Sequence, residues 1–379
     1  MTATWDMRYP LRSKKTSVPL IFCAAAICIV SAIAGRTPCA HGQSADPAAA
    51  SLAPASPAPA ACSRQLEVVE PTQNALVAAL NRRGLVYKDR GELDCAIQQF
   101  DRAIALKPEA PEPYNNRGLI FRELGQIGRA IDDFNRAIEL KPDFAEAFNN
   151  RGNASFSSHQ FDRAIEDYNR ALALNPDYGQ AYSNRGGAYA LKGDLVHAMP
   201  DYQRAIRLEP GCFEAHYNLG VAHLRLANYA DAIAEFDQAL RLKPDLAEAF
   251  NNRGVALRAE GANDLAIDDF NQAIRLKPDY AEAYFNRAVS FVSLGRRDRA
   301  IQDFNDAIRL RPDYPEAFND RGTVYAIQGQ VDRAIRDYDE ALRLKPGYTN
   351  ALNNRARAYA QQHRRDQAVQ NSGETTWQE

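Results

Sequence analysis

Apolar and polar positions alternate along this chain with the spacing of amphipathic helices, in a unit that repeats. From Ala247 to Tyr280 (AEAFNNRGVALRAEGANDLAIDDFNQAIRLKPDY), Ala249, Phe250, Gly254 and Leu257 recur at helical spacing until Gly261. A second stripe of Ala266, Ile267, Phe270, Ala273, Ile274 and Leu276 follows and ends at Pro278. The unit predicts two antiparallel helices, with Gly261 suited to the end of the first and Asp264 to the start of the second. Eight prolines, Pro108, Pro142, Pro176, Pro210, Pro244, Pro278, Pro312 and Pro346, stand 34 residues apart without a slip. A period of that length marks stacked helical hairpins. The pattern therefore predicts an all-α fold, an α-solenoid of antiparallel helix pairs. Because the interval never varies, it leaves no inserted loop in which a catalytic site or cofactor pocket could be housed.

Small residues mark where the two helices come closest. Gly84, Gly118, Gly152, Gly186, Gly220, Gly254 and Gly322 share one register, with Ala288 and Ala356 standing in. A helical glycine costs up to about 1 kcal/mol, so its recurrence implies that a larger side chain would clash. Alanine recurs opposite, from Ala96 to Ala368, and the aromatics Phe100, Phe134, Tyr168, Tyr202, Phe236, Phe270, Phe304 and Tyr338 are expected to fill the space between helices. This order of aromatic, Gly, Ala, aromatic, Ala and Pro resembles the tetratricopeptide repeat family over eight complete copies and a ninth first helix. The resemblance implies a right-handed superhelix whose first helices line a concave groove, and a protein-interaction scaffold. Most copies depart from the family pattern by placing arginine before the glycine, at Arg83, Arg117, Arg151, Arg185, Arg253, Arg287, Arg321 and Arg355, whereas Leu219 keeps the apolar choice. Acids at Asp133, Asp167, Asp201, Asp269, Asp303 and Asp337 would allow an internal ladder with these arginines. If exposed, each pair would contribute only about 0.2 to 1 kcal/mol.

Before those arginines stands a second polar register: Asn116, Asn150, Asn184, Asn218, Asn252, Asn286 and Asn354, with Asp320 in one repeat. An amide both donates and accepts, which matches the backbone of an extended peptide whatever its side chains. The run also resembles the helical array of the O-linked N-acetylglucosamine transferase family, where asparagines at this position form a ladder that grips substrate backbones. That resemblance implies a peptide-binding role for these seven. The other reading is structural, amides that bond neighbouring helices. Asn115, Asn149, Asn251, Asn319 and Asn353 widen the polar strip. Glutamates at 112, 146, 214, 248, 282 and 316 suit helix N-termini, and would repel the acidic chaperone tails that some members of the family clamp.

His216 and His223 lie two turns apart, about 10 Å, too far to share an ion. Cys212 with His216 is an incomplete ligand set, so neither metal nor cofactor is expected. Asn153-Ala154-Ser155 matches a glycosylation acceptor but falls within a helix. Pro200 should make its helix begin late or bend. In the ninth unit only the first helix, about residues 350 to 361, should remain to cap the stack.

The ends differ in composition. Five basic residues up to Arg36 against Asp6 alone precede or flank the uncharged apolar stretch from Val18 to Ala34, which would span about 25 Å as a helix. Residues 1–34 therefore read as a signal peptide or membrane anchor, with Ala32-Ile33-Ala34 as a cleavage site, and the chain is expected to be exported, periplasmic or extracytoplasmic, anchored where this segment stays uncleaved. Residues 35–72, rich in Ala, Pro and Ser, read as a tether, 73–348 as the eight repeats, and 349–379 as the partial ninth repeat and a polar tail. Cys62 and Cys95 could pair, or Cys95 could be a small buried helix residue. The net charge of −2 lacks the basic field of a nucleic-acid-binding protein. Proteins or extended peptides are the expected partners, with no nucleic acid, and with membrane contact only through an uncleaved N-terminal segment. A structural assembly factor multimerising through helix faces, or a substrate-recognition array for a glycosyltransferase domain absent here, are the alternatives.

Overall fold

In a computed structural model of the chain, residues 72–374 are described; the N-terminal segment, the Ala/Pro/Ser stretch and Cys62 lie outside them. The chain divides into two compact units between Ala215 and His216. The unit before the division holds α1 (Gln73–Asp89), α2 (Leu93–Leu106), α3 (Pro111–Glu123), α4 (Ile127–Leu140), α5 (Ala145–Ser157), α6 (Phe161–Leu174), α7 (Gly179–Leu191) and α8 (Leu195–Leu208). Helix α9 (Phe213–Arg225) contains the division, and after it come α10 (Tyr229–Leu242), α11 (Ala247–Ala259), α12 (Asn263–Leu276), α13 (Ala281–Ser293), α14 (Arg297–Leu310), α15 (Pro315–Ile327), α16 (Val331–Leu344) and α17 (Thr349–Glu374). Each unit is a stack of antiparallel helix pairs, as the 34-residue pattern predicts.

Local chemistry sets the helix ends. At Lys277 the backbone leaves the helical region (φ −136°, ψ 87°), because the ring of Pro278 disfavours a helical residue before it. First helices end through a left-handed residue, such as Gly261 at φ 86°. His159 and Ala227 adopt the same conformation without being glycine, at φ 58° and 59°. That strain costs on the order of 1 to 2 kcal/mol and is offset by docking the second helix that follows. The equivalent position in the last unit is His363, where no turn forms and α17 runs on to Glu374 instead of stopping near residue 361. The following residues lack the apolar stripe of a second helix, with Ser372 where Phe304 and Tyr338 stand in earlier repeats, so turning would bury little. Pro200 does not delay the start of its helix. Helix α8 begins at Leu195, with Asp194 accepting from the His197 amide at 3.2 Å, and carries Pro200 in its second turn. The side is exposed, and Val196, whose carbonyl loses its donor, is 81% accessible.

Glycine and aromatic meet in the core of seven hairpins, and Ala288 takes the glycine's place in the one that holds Phe304. A Cβ on Gly254 would stand 2.7 Å from Phe270 Cε1, and one on Gly186 would stand 2.8 Å from Tyr202 Cε1. Phe270 and Tyr202 are fully or almost fully buried, as are the other aromatics of that register from Phe100 to Tyr338.

The arginines bind the stack together, with more burial than an exposed ladder has. Arg151 clasps Asp167 with two parallel bonds, Nε to Oδ2 at 3.0 Å and Nη2 to Oδ1 at 2.6 Å, while its Nη1 donates to Asn135 of the preceding second helix at 2.7 Å. Arg117, Arg185, Arg253, Arg287 and Arg321 repeat the arrangement, bridging to Asp101, Asn169, Asp237, Asn271 and Asn305 respectively. The clasped carboxylates are buried, Asp303 to 6% side-chain exposure against 18% for Arg287. Burial pushes the Asp269, Asp303 and Asp337 carboxyls up despite the pull of their arginines. The hydrogen bond to Asp133 raises the Arg117 guanidinium further, and that to Asp269 does the same for Arg253. Each guanidinium also lies near the aromatic one turn before it, as Arg253 lies 5.5 Å from the Phe250 ring centroid.

Two stability outcomes follow. Gly254→Leu should lower the unfolding free energy by about 1 to 3 kcal/mol through overpacking against Phe270, measured by urea denaturation; a loss below about 0.5 kcal/mol would show that the close approach is not limiting. Arg287→Leu should cost about 2 to 4 kcal/mol in the same assay, since Asp303 would remain buried without its clasp, and a neutral result would remove the bridge as a stabilising element.

Candidate functional site

The predicted asparagines all lie on first helices, one residue before the clasping register, and all seven are half-buried. Six of them donate to the preceding repeat. In the unit before the division, Nδ2 of Asn116 reaches Asn81 Oδ1 at 3.0 Å, Asn150 reaches Asn115 at 2.9 Å and Asn184 reaches Asn149 at 3.0 Å. After it, Asn252 donates to Tyr217 Oη at 3.0 Å, Asn286 to Asn251 at 3.0 Å, and Asn354 to Asn319 at 3.1 Å and Thr323 Oγ1 at 3.3 Å. Nδ2 of Asn218 is buried with no hydrogen-bond partner among the described residues. Burial pushes the Tyr217 phenol well above its ordinary range, which keeps it a neutral hydroxyl able to accept from Asn252.

Within each unit the asparagines thus form a double register offset by 35 residues, the second asparagine of one repeat bonded to the first polar position of the repeat before, which is Tyr217 for Asn252. The sequence pattern identifies the second asparagine of each pair and treats the first as an extension of the polar surface. The asparagine pattern does not mark Asn81 or Tyr217, and the 35-residue offset between donor and acceptor is the signal that finds them. Within a pair, Asn251 Nδ2 also donates to Asn252 Oδ1 at 3.2 Å, and Asn115 to Asn116 at 3.5 Å. Each donating asparagine other than Asn354, whose Nδ2 reaches two oxygens, uses one amide hydrogen on the preceding repeat and has a second in addition. The arrangement can both join repeats and offer donors and acceptors along a face of first helices.

The other candidates resolve into packing. Glu248, Glu282 and Glu316 pair with Lys277, Arg311 and Lys345 at 3.4, 2.6 and 3.1 Å, so the glutamates at helix starts clasp the ends of the second helices. His216 Nδ1 meets Glu235 Oε2 at 2.7 Å, and His223 lies 3.7 Å from Asp231. Among the described residues no group of His, Cys, Asp and Glu is arranged to hold a metal ion. Asn153 accepts from the Tyr168 hydroxyl at 2.7 Å inside α5, which removes the glycosylation match from a loop setting. Cys95 is a half-buried free thiol. No helix among the described residues is long and apolar enough to cross a membrane; residues 18–34 lie outside them.

Comparisons with known proteins agree with this geometry. Profiles described as tetratricopeptide repeat match residues 145–178, 179–212, 198–247, 217–281, 251–315, 285–349 and 319–370, and one described as TPR repeat matches 84–125 and 118–158. Among solved structures, the APC/C hetero-tetramer Cut9–Hcn1 is similar at TM-score 0.55 and 19% identity, over 69% of this chain and 52% of that one. The chain therefore spans about half the length of that relative. PilF of Pseudomonas aeruginosa is similar at TM-score 0.52 and 17% identity, over 56% of this chain and 96% of that one. At these identities the likeness concerns the fold. No curated protein matches the chain. The matched segments run without a break from residue 84 to residue 370, and the chain belongs to the tetratricopeptide repeat family.

Proposed function

We propose that this non-enzymatic interaction scaffold binds extended segments of partner proteins along its asparagine strip, and that it does so outside the cytoplasm. The observation that carries the first part is the double register itself. Six of the seven asparagines direct one Nδ2 bond to the preceding repeat, so neighbouring amides are held in matching orientation. Amide groups fixed at the spacing of successive first helices suit a main chain lying across them, whose own N–H and C=O groups need partners in any sequence. This is the role that the resemblance to the transferase array implies. Stacked repeats present such surfaces as extended strips, which suits a segment better than a compact ligand. The second part is supported by the uncharged apolar stretch from Val18 to Ala34 behind a basic N-terminus, followed by an Ala/Pro/Ser tether.

Two measurements test this reading. Paired substitutions Asn150→Ala with Asn184→Ala, and Asn252→Ala with Asn286→Ala, should reduce recovery of cross-linked partners by about tenfold or more, at a stability cost of about 1 kcal/mol per lost bond. Circular dichroism should show helical content retained. Unchanged recovery by folded variants would contradict the strip as the binding face. Fractionation with N-terminal sequencing should find either a chain beginning at Gly35 or the intact chain in the membrane fraction; an intact chain confined to the cytosol would contradict export.

A further inference from the structure

We propose that residues 62–70 fold back on α1 and cover the face that a preceding second helix covers in every later repeat, closing the open end of the stack. That face lies on the side of α1 away from Asn81, and the inference does not depend on the asparagine strip.

Its basis is a change of burial at fixed positions of the repeat. At the register of Val86 no side chain is more than 2% exposed in any later repeat, from Ile120 to Ala358, and at that of Ala79 the side chains of Ala147, Ala249 and Ala317 are fully buried. Ala317 and Val324 share a core cluster with Phe304 and Ala307 of α14, the second helix before them. On α1 the same positions are open. Val86 is 48% exposed, Leu76 is 40% exposed, and Ala79 is exposed as well. Leu76, Ala79, Arg83 and Val86 follow at intervals of three, four and three residues, which places them on one stripe of the helix. Among the described residues no second helix precedes that stripe. Arg83 reflects the same position in the stack: the six clasping arginines reach second helices on both sides, whereas Arg83 donates to Tyr87 Oη of its own helix at 3.2 Å.

The chain itself supplies the cover. Helix α1 begins about one turn earlier in its repeat than the other first helices, and that turn is tied down. Thr72 Oγ1 accepts from the Ala75 amide at 3.3 Å, Gln73 donates to the Leu106 carbonyl, and Lys107 Nζ donates to Asn74 Oδ1 at 2.7 Å. The chain therefore enters α1 about 6 Å along the axis from Leu76, at one end of the stripe. Pro71 disfavours a helical residue before it, so a helix in residues 62–70 would not run straight into α1. Within that segment (CSRQLEVVE), Cys62, Leu66 and Val69 stand at intervals of four and three residues, one helical face. They also stand 34 residues before Ala96, Phe100 and Ala103, the fully buried core residues of α2, so the spacing of a second helix continues one period back. Residues 42–61 hold only Leu52 as an apolar side chain larger than proline, and could not serve in its place. Nine helical residues span about 13 Å, against about 15 Å for the stripe from Leu76 to Val86. A segment joined to α1 by two residues meets the stripe at a high effective concentration, which favours it over a second copy of the chain.

Hydrogen exchange of the full chain, read by mass spectrometry on peptides of α1, tests the cover. Leu66→Asp combined with Val69→Asp should speed exchange of the α1 amides by about tenfold, equivalent to about 1.4 kcal/mol of lost local protection, and leave α11 to α16 unchanged. Ala79→Asp should also speed exchange in α1, and joining all three substitutions should give less than the product of the two separate factors, because both changes break the same contact. Unchanged exchange in the Leu66/Val69 variant would overturn the proposal, as would factors that simply multiply. Protection of α1 that rises with protein concentration, together with a dimer in sedimentation, would assign the stripe to a second copy and overturn it likewise.

Discussion

The arginine that clasps two second helices at once is the interaction on which the repeats depend. A guanidinium is planar and carries five donors, so it can hold a carboxylate with one edge and still direct a further N–H elsewhere. Arg253 does this between Asp269 of its own hairpin and Asp237 of the one before, at 2.6 to 2.8 Å throughout. The carboxylate of Asp269 is almost fully buried whereas Asp237 is nearly half exposed, so the two halves of the bridge differ in weight. The bridge also fixes the roll of the first helix about its axis. Because each asparagine precedes its arginine by one residue, fixing the arginine aims the amide about 100° around the same helix.

Leu219 shows what the bridge replaces. Where leucine stands in the arginine register it is buried, and the acid sixteen residues later, Glu235, is taken by His216. A charged clasp and an apolar contact are thus two solutions for one position. The recurrence of the charged one means that six repeats carry a buried aspartate that only an arginine or its equivalent can satisfy, whereas the first has Gln99 in that place.

Much of this was legible in the chain because it is periodic. The prolines, glycines and core aromatics lie where the 34-residue pattern places them, and the arginines pair with the aspartates sixteen residues on. What the pattern hid is what crosses from one repeat to the next. The acceptor sixteen residues before each arginine is Asp101, Asp237 or Asp339 in some repeats and Asn135, Asn169, Asn271 or Asn305 in others, so a reading based on opposite charge finds only some of it. Burial of the clasped acids was also invisible, since an aspartate in a helix reads as solvent-facing until its neighbour is known. The long α17 was missed because the absence of a glycine at His363 has the opposite consequence at His159 and Ala227, where a complete second helix follows. For the asparagines, composition alone left binding and structural roles as alternatives. An amide has two hydrogens and two lone pairs, and using one hydrogen on a neighbouring repeat leaves the rest of the group for another partner.

Each of the six clasping arginines should therefore couple energetically to both hairpins it bridges. Double-mutant cycles in urea denaturation, pairing Arg253→Leu with Asp269→Asn and separately with Asp237→Asn, measure that coupling directly. The bridge predicts about 1 to 3 kcal/mol for the buried pair and a smaller but resolvable value, about 0.5 kcal/mol, for the exposed one. Additivity within about 0.3 kcal/mol in both cycles would contradict it.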